Sequence, residues 1–153
     1  MTKPQKLITF FLVAVALAGI LQTSGVLRPW GIVPNFMLVT LAVAAFFIES
    51  FVPFLFLLIW SSIFLRFESG LSLTLVVFLL VGLLLFWVRG RILLPGISTT
   101  LLLIAGATLL LYLIFDPRLM YQFPEIVFWE LLFNVILGVG LFWSVHRWNE
   151  KGA

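Results

Sequence analysis

The sequence predicts an all-α integral membrane protein, a single helical bundle of about six transmembrane segments spread over residues 1–153. Two observations carry that prediction. Of the 153 residues, 63% are hydrophobic and 10% charged, whereas soluble domains run at roughly 45–50% apolar and about 25% charged; the mean hydropathy of +1.26 agrees. The apolar residues also gather into runs close to the ~20 that a helix needs to cross a hydrocarbon core of about 30 Å.

The runs lie at approximately 7–21, 33–48, 51–65, 71–88, 97–115 and 126–145. The first follows Lys3 and Lys6 and imitates a secretory leader, with Ala14-Val15-Ala16 or Ala16-Leu17-Ala18 as a cleavage pattern. It continues apolar through Ile20 and Leu21, however, and later segments commit the chain to the membrane, so a retained helix is expected. Only Glu49, Ser50 and Pro53 punctuate the junction of the second and third runs. These read as two spans or as a tight re-entrant hairpin, and two spans are preferred because irregular backbone at membrane depth must be buried in protein or line a cavity. Pro29, Pro34, Pro53, Pro95, Pro117 and Pro124 all stand at or beside segment ends, where a missing N–H does little harm.

Charge placement predicts orientation. With the N-terminus inside, alternate loops put Lys3, Lys6, Arg89, Arg91, Arg147 and Lys151 in the cytoplasm against Arg28, Arg66 and Arg118 outside. Positive residues favour cytoplasmic loops, so both termini are expected inside. Trp30, Trp87, Trp129, Trp143 and Trp148 fall near the expected interfaces, as anchoring residues do.

The residues that carry chemistry are few. No cysteine is present and His146 is the one histidine, so a thiolate or zinc site and a Ser/His/Asp relay have nothing to build on; no metal and no cofactor are expected. The run Gly96 to Thr100, "GISTT", is expected to cap its helix or bond its own backbone rather than hold a ligand. An ionisable residue at the centre of a span costs roughly 2.5–3.5 kcal/mol on insertion scales, so acids near the bilayer are informative. Glu49 is expected in a wetted turn. Glu130 lies inside the last run and shares one helix face with Asn134 and Gly138, at i, i+4 and i+8, with Leu137 and Leu141 alongside. Lipid offers such side chains no partner, so the face is expected to pack against protein, with hydrogen bonds near one end and close approach at the glycine. Glu125 points elsewhere, and no paired carboxylate suggests acid/base catalysis. Ala14 and Ala18, with Gly19 beside them, offer a second small-residue face, and Gly106 between Ala105 and Ala107 another.

Several stretches resemble the MreD family of bacterial rod shape-determining membrane proteins: "VPNFMLV" (Val33 to Val39) opening the second span, "FESGLSLTLVVFLLVGLL" (Phe67 to Leu84) with its Ser/Gly turn, and "FPEIVFWELLFNVIL" (Phe123 to Leu137) with a polar residue at Asn134. The basic ending "HRW" also fits. The chain departs from the family where "WSSIFLRFESG" carries no aspartate inside the third span; its first charges there are Arg66 and Glu68. The resemblance implies a non-enzymatic scaffold of the bacterial inner (cytoplasmic) membrane that binds a single-span MreC-like protein. MreB, RodA and a class-B penicillin-binding transpeptidase are the implied complex members in cell-wall elongation. It also implies a fold similar to the substrate-binding S-components of energy-coupling-factor vitamin transporters. The alternative function is therefore a vitamin-binding subunit that docks on its transporter through residues such as Ala14 and Ala18.

Overall fold

A bilayer offers the backbone no hydrogen-bonding partner, so apolar segments that enter it form helices almost irrespective of their side chains. The computed structural model, which describes residues 3–24, 26, 31–65 and 73–151, is helical accordingly. Among these residues it holds α1 (Lys3–Ser24), α2 (Phe36–Phe47), α3 (Phe51–Leu65), α4 (Leu73–Arg89), α5 (Gly96–Phe115), α6 (Pro117–Gln122) and α7 (Pro124–Lys151). The expected outer-loop residues Arg28, Pro29, Trp30, Arg66 and Glu68, and most of the Ser/Gly turn, lie outside the described residues.

The helix starts follow from capping chemistry. Asn35 caps α2 by accepting the Leu38 N–H at 3.0 Å. Asp116 caps α6 with Pro117 in its first turn, and α7 opens on Pro124-Glu125, placing an acid at the positive end of the helix dipole. Gly31, at φ 83°, supplies the left-handed turn that leads into α2.

Three helices, α1, α5 and α7, are long and apolar enough to cross a membrane by length and composition. The second expected run is shorter than it read: residues 33–35 are not helical, and α2 has 12 residues, about 18 Å at ~1.5 Å per residue. Its position explains how so short a helix is accommodated. Ten of its residues, Phe36 through Ala45, are buried, and a helix that is apolar all round is one surrounded by protein. One face meets Phe11, Val15, Phe54 and Leu57 of α1 and α3; the other meets Val77, Val81, Leu103 and Ile104 of α4 and α5.

The helices α1, α3, α4, α5 and α7 surround α2 in that order, each packed on α2 and on the next. The ring is open at one place. Helices α1 and α7 do not pack along their lengths and meet in an aromatic stack between Phe10 and Trp148, with centroids 5.6 Å apart. That stack sets the N-terminal end of α1 beside the C-terminal end of α7. Arg89, at the end of α4, bonds the carbonyls at the end of α2, so these termini share one pole of the bundle. This basic pole carries Arg89, Arg91 and Arg147; the opposite pole is built by the ends of α1 and α5, the starts of α2, α4 and α7, and α6.

The outer surface is apolar. Val52, Phe56, Ile59 and Ile63 on α3, and Leu73, Val76, Leu80, Leu84 and Trp87 on α4, are exposed at three- and four-residue steps. Water-exposed apolar patches on monomeric proteins rarely exceed a few hundred Å²; stripes that run the length of two helices are surfaces for lipid. The first helix belongs to the core, since Phe11 and Val15 are fully buried.

Candidate functional site

Several polar residues of the spans converge at the pole opposite Arg89, Arg91 and Arg147. On α7, Asn134 is fully buried, at 0% exposure, among α2, α5 and α7. Its Oδ1 accepts the backbone N–H of Asn35 at 2.8 Å, and its Nδ2 donates to Thr108 Oγ1 at 3.1 Å. One turn earlier, the half-buried Glu130 accepts a hydrogen bond from the Tyr112 hydroxyl on α5. Gln22, near the end of α1, accepts the Met37 N–H at 3.1 Å and so satisfies a first-turn donor of α2 that its own helix cannot.

Gly138, two turns below Glu130, is the close approach expected on that face. A Cβ there would run into Ile104 Cδ1 of α5, with Val39 Cγ1 of α2 at 3.8 Å. Glu130, Asn134 and Gly138 thus join α7 to α5 and α2 within the chain.

Above this junction opens a pocket of about 230 Å³. Gln22, Asn35, Thr74, Thr108, Tyr112, Asp116 and Glu130 supply its polar groups, while Phe78, Leu111 and Phe115 supply its apolar wall. These polar groups lie at or near helix ends. Tyr112, Thr108, Asn35 and Gln22 were not singled out from sequence. The available signal was their presence as hydrogen-bonding side chains inside or beside apolar runs, where each needs a partner.

A second concavity, of about 410 Å³, fills the gap in the ring. Ala14, Leu17 and Ala18 of α1 form one wall, Leu137 and Leu141 of α7 the other, and Phe36, Val39 and Thr40 of α2 the floor. Ala14 and Ala18 therefore face an open apolar groove. Gly106 lines a furrow between α4 and α5 and has open space where a Cβ would lie.

The remaining candidates are settled locally. Thr99 and Thr100 donate to the carbonyls of Leu94 and Gly96, both at 3.0 Å, which is the backbone bonding expected of the "GISTT" run. Glu49 is exposed in the turn between α2 and α3. His146 lies 3.3 Å from Glu150 one turn on and stacks on Phe142.

Arg89 has a role that charge counting missed. Its guanidinium donates to the carbonyls of Ala45, Ile48 (2.5 Å) and Glu49 (2.8 Å) and lies 4.1 Å over the Phe86 ring. It ties the end of α4 to the unsatisfied carbonyl end of α2, where a cation is favoured by the helix dipole.

No protein-family model, curated protein or solved structure matches the chain.

Proposed function

We propose that this protein is a non-enzymatic membrane scaffold of the MreD type, which seats the single transmembrane helix of an MreC-like partner in the groove between α1 and α7. The observation that supports this reading is the open ring. Five helices surround α2, four of their five junctions are packed, and the fifth is an apolar groove with small residues on one wall. Helices associate in lipid through close van der Waals contact, which small residues such as Ala14 and Ala18 allow. The outer faces of α3 and α4 carry bulky apolar side chains suited to lipid.

Membership of the bacterial elongation machinery, with MreB, RodA and a class-B penicillin-binding transpeptidase, rests on the sequence resemblance. Co-expression with the single-span protein of its own host is the test. The two should co-purify in mild detergent, and cells depleted of the chain should lose rod shape. Ala14→Phe, at the half-buried position of this wall, should abolish co-purification while the mutant chain still elutes with the wild-type profile. Rod-shaped depleted cells would remove this reading.

Orientation is part of the proposal. The pole carrying Arg89, Arg91 and Arg147 is assigned to the cytoplasm on its positive charge. Because the chain has no cysteine, a cysteine introduced at position 90 can be probed with an impermeant thiol reagent. It should react in opened vesicles and stay unlabelled in intact cells; labelling from outside would invert the assignment.

The polar pocket favours a second reading, a substrate-binding subunit similar to the vitamin-transporter S-components. Such a subunit needs convergent polar groups in an outward-facing cavity, and the helix ends supply them here. Nanomolar binding of a vitamin by the purified protein would select it over the scaffold.

A further inference from the structure

Among the described residues, the lining of the pocket at the polar pole is acidic. Two carboxylates, Glu130 and Asp116, line it, and no lysine or arginine is among its described lining residues. The nearest basic residue in sequence, Arg118, is exposed on α6 and does not line it. Glu130 is held by neutral groups: it accepts from the Tyr112 hydroxyl, and the Asn134 amide lies within reach of it. A carboxylate in a partly dry site is costly without a counter-charge.

The other polar groups are partly committed. Gln22 and Asn35 spend their carbonyl oxygens on the Met37 and Leu38 N–H groups, and Thr108 accepts from Asn134. Three aromatic rings, Phe78, Tyr112 and Phe115, also line it, with Thr74 and Leu111. Aromatic faces attract cations through their quadrupole, most strongly where water is displaced. Carboxylates and rings around one small cavity are the chemistry that recognises an organic ammonium ion.

We propose that this pocket binds an organic ammonium group, with its nitrogen between Glu130 and Asp116 and its apolar body against Phe78 and Phe115. The group belongs either to a free amine or to the headgroup of an aminophospholipid, since a pocket at the end of a membrane bundle is open to both. This goes beyond the scaffold reading, which concerns the apolar groove, and its failure would leave that reading intact.

The test uses the full-length protein in phosphatidylglycerol nanodiscs, titrated with 2-phenylethylammonium as the probe. Saturable binding is expected. Glu130→Gln should weaken it about tenfold, a loss of one charge contact worth ~1.4 kcal/mol, while keeping an oxygen for the Tyr112 hydroxyl. Asp116→Asn, which keeps the cap of α6, should weaken it less, and phenylacetate should not compete. Adding phosphatidylethanolamine to the nanodiscs separates the sources: competition with the probe assigns the site to a headgroup, and undiminished probe binding assigns it to a free amine. The proposal is overturned if wild-type protein shows neither saturable probe binding nor stabilisation by phosphatidylethanolamine. Equal affinities in wild type and both folded variants, or preference for phenylacetate, would overturn it as well.

Discussion

Replacing Arg89 by leucine is expected to lower the stability of the bundle by about 2–4 kcal/mol, as hydrogen bonds to a charged group are each worth roughly 1.5–3 kcal/mol and buried acceptors left bare carry their own cost. The carbonyls of Ala45, Ile48 and Glu49 would lose the guanidinium that now joins them to α4. Ala45 and Ile48 are buried, so water cannot fully replace it. Lysine at this position should restore part of the loss, because an ammonium brings charge without a planar fork of donors. Arg91 provides the contrast. Its guanidinium lies 3.9 Å over the Trp87 ring at the surface, an exposed cation–π contact of about 0.5–1 kcal/mol. If both arginines served as topology markers alone, the two leucine variants would unfold together; thermal unfolding in one detergent should separate them, with Arg89→Leu well below Arg91→Leu.

Asn134→Leu is the second large effect. Leucine fills similar space but removes both the acceptor for the Asn35 N–H and the donor to Thr108. The half-buried Asn35 N–H at the start of α2 then loses its partner, at about 1–3 kcal/mol. Thr108→Val removes one of the two bonds and should cost less, in the range of about 0.6–1.7 kcal/mol measured for single interhelical bonds in membranes. The double variant should fall short of the sum, since both substitutions break the Asn134–Thr108 bond. Reversible unfolding in mixed micelles gives all four corners of that cycle. Additive losses would mean that the bond contributes nothing.

The helices were legible in the sequence because lipid leaves the backbone one solution, so apolar length and the punctuation by Pro34, Asn35, Pro95 and Pro124 place them closely. What escaped was of two kinds. Helix α6 is six residues long, too short for a periodic signal, although Asp116 followed by Pro117 is a helix start that could have been read. The rest depends on which helices become neighbours. Spacing put Glu130, Asn134 and Gly138 on one face, but Asn35 lies 99 residues from Asn134 in sequence, and nothing local to Tyr112 or Arg89 marks the groups they bond. The gap between α1 and α7 is likewise a property of ring order. Leu137 and Leu141, beside the polar face in sequence, turn out to form the wall opposite Ala14 and Ala18.

That gap is where the account is most exposed to test. In the cysteine-free chain, single cysteines at position 14 or 18, facing the groove, and at position 80, on the lipid-facing side of α4, can be paired with cysteines along the span of the proposed single-span partner, co-expressed with it. Oxidative cross-linking in native membranes should trap the partner from positions 14 and 18, with a three- to four-residue periodicity along its span, and leave position 80 uncoupled. Cross-links from position 80 with none from the groove would contradict the assignment of the open ring to a partner helix.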